Sequence, residues 1–229
     1  MKPLLLDLFC GAGGAAMGYH RAGFDVVGVD LYEQPDYPFD FWQGDALALF
    51  YSEEWADKHD LFHAVHASPP CQFFSAATPE AARSRYRDLL TPMRSLIRRT
   101  GLPYVIENVE RARPAMHDPV TICGSSLGLR VRRHRLFETN WPLIVPPCAH
   151  GQQGQPVGVY GEGSSKSQKR GRKADTEAEV LAVMEMPWTD RKGATQAIPP
   201  AYTELIGHQL LQHLEARVAW KALAGEVQE

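Results

Sequence analysis

The stretch from Leu4 to Asp30 constrains this chain more than any other. A compact apolar run, Leu4-Leu5-Leu6-Asp7-Leu8-Phe9, stops at Cys10-Gly11-Ala12-Gly13-Gly14. Ala15 to Ala22 has helical character and is punctuated by Gly23, and a second apolar run, Val26-Val27-Gly28-Val29, ends in Asp30. Strand, glycine turn, helix, then a strand closing on a carboxylate is a dinucleotide-type βαβ unit. Further apolar runs at Leu61–Val65, Tyr104–Asn108, Val120–Cys123 and Leu136–Thr139 read as strands. Between the first two, Leu89, Leu90, Met93, Leu96 and Ile97 recur at helical spacing within Arg85–Thr100. The alternation argues for a parallel sheet flanked by helices.

The texture changes at Pro146-Pro147. From there to about Ala174 the chain is rich in Gly, Gln, Ser and Pro, poor in large apolar residues, and expected to be mobile. Thr176–Met184 reads as a helix, and Pro199-Pro200 introduces a closing helix from Ala201 toward Ala224. The 229 residues suit one ordinary domain with a small appendage, and the net charge of -3 gives no global attraction to a polyanion. The four cysteines, Cys10, Cys71, Cys123 and Cys148, form no CxxC pair or disulfide framework, which points to a reducing, cytoplasmic compartment. Neither a signal peptide nor a membrane span is expected.

Two sites carry chemistry. In the first, Gly11, Gly13 and Gly14 allow a tight turn beside a ligand, and Asp30 is placed for ribose hydroxyls. Asp45, in Gln43-Gly44-Asp45-Ala46, suits an adenine amino group. The turn is not G-x-G-x-x-G, and Asp7 would repel a pyrophosphate while favouring a cation such as a sulfonium with an amino-acid tail. In the second site, Pro69-Pro70 stiffens the turn after a strand and presents Cys71, a potent nucleophile, where open sheets do their chemistry. Glu107 ends a strand, and burial there would let it donate a proton near neutrality. Arg133 and Arg135, two apart, point the same way on an extended segment and suit a phosphate or a base carbonyl. Each has an ordinary alternative: a turn cysteine, a salt-bridging glutamate, a solvated basic face. Cys10 lies in the cofactor turn and is not read as a nucleophile. Cys123, Cys148 and His150 match no zinc spacing, so no metal is expected.

The order Asp7-Leu8-Phe9-Cys10-Gly11-Ala12-Gly13-Gly14, Asp30, Pro70-Cys71-Gln72, Glu107-Asn108-Val109, Arg133-His134-Arg135 resembles the cytosine-C5 DNA methyltransferases. Ile198-Pro199-Pro200-Ala201-Tyr202-Thr203-Glu204-Leu205-Ile206-Gly207 resembles their final motif. The resemblance implies a Rossmann-like α/β S-adenosylmethionine-dependent methyltransferase sheet with a reduced, partly irregular target-recognition region. It implies S-adenosylmethionine as cofactor, S-adenosylhomocysteine as product, DNA as substrate and a flipped cytosine. Cys71 would attack C6, Glu107 would hold and protonate N3, and Arg135, with Arg133 nearby, would hold the base. Phe9 would stack beside the cofactor, which Asp7, Gly11, Gly13, Gly14, Asp30, Asp45 and Pro70 would line. Gln72, Ser75, Arg83 and Arg85 would meet DNA.

The division expected is 1–145 for catalysis and cofactor, 146–198 for reduced target recognition, and 199–229 for a helix returning to the catalytic domain. The middle region carries Lys166, Lys169, Arg170, Arg172 and Lys173, a basic cluster suited to phosphates without base reading. So small a region implies relaxed specificity, a short target or a protein partner, in a monomer of orphan or phage type. Such an enzyme would work beside the nucleoid of a bacterial or phage-infected cell. Gly207-His208-Gln209 replaces the family's usual Gly-Asn-Ser, at positions taken to border the cofactor. The same chemistry on tRNA, or a silent nucleic-acid binder, are the other readings of this sequence.

Overall fold

A computed structural model describes residues 2–75, 78–159 and 171–223. Its first strand, β1 (Leu4–Leu8), is buried along most of its length. It leads through the glycine turn into α1 (Gly14–Ala22), β2 (Asp25–Asp30), β3 (Asp40–Gln43), α2 (Ala46–Leu49) and α3 (Glu53–Lys58). Next come β4 (Phe62–Ala67), α4 (Glu80–Arg83), α5 (Leu90–Arg99), β5 (Tyr104–Asn108), β6 (Val120–Ile122) and β7 (Arg135–Thr139). Two short strands, β8 (Val157–Gly158) and β9 (Arg172–Lys173), precede α6 (Glu177–Met184), α7 (Arg191–Gln196) and α8 (Pro200–Leu223).

Seven strands form one sheet in the order β3-β2-β1-β4-β5-β7-β6. Neighbouring residues of a strand face opposite layers, so Leu5, Val26, Ala64, Val105 and Phe137 enter one core and Leu6, Val27, Val65, Ile106 and Leu136 the other. Double burial is why these strands read as continuous apolar runs rather than alternating ones. The first layer is covered by α1, α6 and α8, the second by α5. Gly23 ends α1 in the left-handed region at φ 114°, donating its N–H to the carbonyls of Tyr19 and His20.

Three sequence expectations are corrected here. The sheet is not wholly parallel: β7 runs antiparallel to both β5 and β6. The links from β5 to β6 and from β6 to β7 carry only short 3₁₀ helices, and without a crossover helix the chain doubles back. The long helix begins at Leu90 instead of Arg85, because the Asp88 carboxylate accepts the N–H groups of Leu90 and Thr91. The Pro146–Ala174 stretch also contributes to the core through Val157, Val159 and Ala174, beside the β8–β9 pair. Among the described residues, no helix is long and apolar enough to cross a membrane.

Candidate active site

The carboxyl ends of β1 and β2 hold a strained turn. Phe9 adopts φ 59°, a left-handed conformation that a bulky residue takes only when its surroundings impose it. Gly11 follows at φ 49°, and its N–H donates to Asp30 Oδ2 at 3.1 Å, while Tyr32 N–H donates to Oδ1 at 3.1 Å. The three glycines do different things. A Cβ on Gly11 would meet nothing within 4 Å, whereas one on Gly14 would lie 2.3 Å from the Ile198 carbonyl oxygen. Gly11 therefore faces open space, and Gly14 lets the chain before α8 pack against α1. Gly13 likewise sits close against Pro38 and Tyr37. A cavity of about 210 Å³ lies at the ends of β2 and β3, lined by Val29, Trp42, Gln43, Gly44, Asp45 and Leu49.

Of the two carboxylates expected here, Asp45 borders the cavity and Asp7 lies beneath the turn. Asp7 is wholly buried, and neither of its carboxylate oxygens has a hydrogen-bond partner among the described residues; burial first, then the Asp30 charge, push its carboxyl well above the usual range. A group so enclosed offers no anion to a sulfonium. Asp45 caps α2, its Oδ1 accepting the N–H groups of Leu47 at 2.7 Å and Ala48 at 3.2 Å. Cys10 is no nucleophile: burial, then Asp7 and Asp30, raise its thiol far above the ordinary value. His208 is exposed, and Gln209 exchanges hydrogen bonds with the backbone of Ile144, so neither borders the cofactor turn.

The nucleophile side is built from the ends of β4, β5 and β7. Pro70 leads into a one-turn helix, Cys71–Phe73, and the Ser75 N–H donates to the Cys71 carbonyl at 2.8 Å. Asn108, immediately after Glu107, donates from Nδ2 to the Pro69 carbonyl at 3.0 Å and fixes the proline turn to β5. Glu107 Oε1 lies 3.0 Å from Arg135 Nε, with both side chains largely buried. Burial raises the Glu107 carboxyl; Arg135, a Ser68 hydrogen bond and Arg133 pull it back only in part. The Cys71 thiol is raised too, by burial and then by the Glu107 charge, against opposition from Arg135. Behind them runs a buried chain: Ser68 Oγ to His66 Nε2 at 2.9 Å, and His66 Nδ1 to the Tyr19 hydroxyl at 2.9 Å.

Cys71, Glu107 and Arg135 are thus brought together. Arg133 departs from the expected pairing: it donates to the carbonyls of Thr195 and Ala197, and so straps the segment before α8 to the start of β7. Gln72 and Arg85 are exposed on the connection after Cys71, while Arg83 pairs with Glu80 at 3.0 Å. Of the basic cluster, Arg172 is held by Glu179 and by Asp175 at 3.2 Å, and Lys173 is exposed in β9. Lys166, Lys169 and Arg170 lie outside the described residues. Cys123, Cys148 and His150, separate in sequence, converge with His134, their ligand atoms all within 4.8 Å of one another.

Against this geometry, the sequence profile of C-5 cytosine-specific DNA methylases matches residues 4–120, more than half of the chain. The chain belongs to that family. A type II methyltransferase of Herpetosiphon aurantiacus, M.HgiDI, is 30% identical over 121 residues, which is 47% of this chain and 37% of that protein. The chain therefore spans little more than a third of this relative's length. Two solved structures share the fold at low identity. Entamoeba histolytica methyltransferase EhMeth has a TM-score of 0.62 at 12% identity, covering 93% of this chain and 99% of that one. Schizosaccharomyces pombe Dnmt2 (0.59, 13%) covers the same shares. The architecture is the Rossmann-like fold of S-adenosylmethionine-dependent methyltransferases.

Several supporting residues of this chain escaped sequence reasoning. Trp188 Nε1 donates to the Ala12 carbonyl at 2.9 Å, and so links the segment after α6 to the cofactor turn. Thr189 Oγ1 donates to Asp36 at 2.9 Å, closing the same seam. Tyr202, on α8, donates to the Arg133 carbonyl. Of these, Tyr202 had a sequence signal, inside the Ile198–Gly207 run; Trp188 and Thr189 make contacts between segments remote in the chain.

Proposed function

We propose that this chain methylates C5 of cytosine in DNA, through a covalent bond between Cys71 Sγ and C6 of a base flipped from the duplex. The observation that carries the reading is the convergence of Cys71 and Glu107, at the carboxyl ends of β4 and β5, with Arg135 at the start of antiparallel β7. Cytosine is a poor electrophile, and needs a soft nucleophile at C6 together with a proton at N3. Glu107, its carboxyl raised by burial, holds the N3 edge and supplies that proton. Arg135 fixes the carboxyl in place and presents its own donors to the base carbonyl. Cys71 adds as thiolate, and C5 becomes the nucleophilic end of an enamine. Once C5 has taken the methyl group that S-adenosylmethionine would supply, loss of the C5 proton expels the thiolate and restores the aromatic ring.

The residues beside Gly11 fit S-adenosylmethionine, which supplies the methyl group as a sulfonium electrophile. Phe9, forced to positive φ, offers a ring face, and Asp30 stands at the end of β2, where ribose hydroxyls are bound in such folds. The cavity at the ends of β2 and β3 has room for the adenine side. Residues 1–145 form the catalytic unit in this reading, 146–198 a reduced recognition region, and 199–229 the returning segment. Gln72, Ser75, Arg85 and Lys173 meet the DNA.

Labelled methyl transfer tests the proposal. Transfer to DNA, lost in Cys71→Ser, supports it. Transfer to tRNA in place of DNA would move the same chemistry to RNA, and undiminished transfer by Cys71→Ser would end the mechanism.

A further inference from the structure

We infer that Cys123, His134, Cys148 and His150 form a structural zinc site on the strand that carries Arg135. The four come from three places: the end of β6, the residue before β7, and the loop that follows it. Cys123 Sγ lies 3.4 Å from His150 Nε2, and Cys148 Sγ lies 3.4 Å from His134 Nε2. Zinc bonds thiolate sulfur at 2.3 Å and imidazole nitrogen at 2.0–2.1 Å, so a tetrahedral site has sulfur–nitrogen edges of about 3.5 Å. Both edges have the length a shared metal imposes. Hydrogen bonding alone is a weak reason for such a cluster, because a thiol is a poor donor and a poor acceptor.

The surroundings match a metal centre. His134 turns its other nitrogen, Nδ1, to Glu110 Oε1 at 3.4 Å, the carboxylate–imidazole arrangement that orients a zinc ligand. Ser125 Oγ donates to Cys123 Sγ at 3.1 Å and accepts the Ala149 N–H at 3.1 Å, tying two ligand segments together. With two soft and two borderline donors the set is that of closed, structural zinc, and leaves no open position for catalysis. Its effect is mechanical. His134 sits between Arg133 and Arg135, so a metal bound there staples the 148–150 loop to the start of β7. It thereby fixes the backbone from which Arg135 reaches Glu107.

The test uses the full chain, without a histidine tag, purified under reducing conditions and passed from excess zinc through gel filtration. Elemental analysis is expected to find one zinc per chain. Cobalt(II) in its place is expected to give the intense visible bands and thiolate charge transfer of a tetrahedral sulfur–nitrogen site. Cys123→Ser with Cys148→Ser loses the metal, while Cys71→Ser keeps the full equivalent. Glu110→Gln retains all four ligands and folds independently of any lost donor, and is expected to weaken zinc binding about 10- to 100-fold. Wild-type protein that retains no zinc, a cobalt spectrum without thiolate charge transfer, or a Cys123–Cys148 disulfide that persists under reducing conditions would each overturn the inference.

Discussion

At the scale of the residue, the proposed nucleophile lies in surroundings that disfavour its thiolate. Burial and the Glu107 charge both hold the Cys71 thiol protonated, and Arg135 only partly offsets them. Glu107→Gln therefore has two effects of opposite sign. It removes the charge that raises the thiol, so the pH midpoint of Cys71 alkylation is expected to fall. It also removes the N3 proton donor, so methyl transfer is expected to drop about 100- to 10,000-fold. Measuring alkylation and transfer on the same preparation separates the two. His66 supplies a second test. Burial pushes its imidazole down to about 3, from an unfolded value near 6.5, so the folded protein keeps the ring neutral between Tyr19 and Ser68. The unfolded chain binds the extra proton, and this contribution is lost as pH falls below about 6.5, at about 2 kcal/mol by pH 5. Asp7 and Glu107, whose carboxyls are raised, act with the opposite sign over part of the same interval. The comparison that isolates His66 is thus the acid slope of urea stability in wild type against His66→Gln, which is expected to be shallower in the variant.

At the scale of the element, legibility followed burial and local chemistry. The strands β1 and β5 and the helix α1 announce themselves through apolar runs and glycine punctuation, and all fall close to where the pattern puts them. Direction in β7 was illegible, because a strand's residues say little about which neighbour it will pair with. The helix cap made by Asp45 was illegible for a related reason: a carboxylate at a strand–helix junction serves a ligand and a helix cap equally well, and sequence alone does not separate the two. The Cys123, His134, Cys148 and His150 cluster, scattered along the sequence, is invisible to spacing rules when the sheet gathers it. The same holds for the buried pair Arg94–Glu138, which joins α5 to β7 with contacts of 2.7 and 2.8 Å, and also engages Tyr104 and the His117 N–H. Glu138→Gln leaves the Arg94 cation buried without its counter-charge. It is expected to cost about 3–5 kcal/mol in chemical denaturation, far more than an exposed pair would.

At the scale of the molecule, the site is assembled by chain ends meeting. Gly14 admits the Ile198 carbonyl, Thr203 Oγ1 donates to the Ala15 carbonyl at 2.8 Å, and Trp188 reaches Ala12, so the last fifth of the chain completes a turn made by the first. Arg133 belongs to this seam more than to the base site, bonded as it is to the Thr195 and Ala197 carbonyls. Part of the 146–198 segment shares the core of the main sheet through Val157, Val180 and Met184. The account's central claim is that Cys71 becomes bonded to C6 of cytosine. DNA containing 5-fluorocytosine, which cannot lose a proton from C5, should trap that bond in the presence of S-adenosylmethionine. Mass spectrometry of the digested complex is expected to place the nucleotide on the peptide that contains Cys71, with no adduct in Cys71→Ser. An adduct on Cys10, Cys123 or Cys148, or methylated DNA produced with no trapped complex, would contradict it.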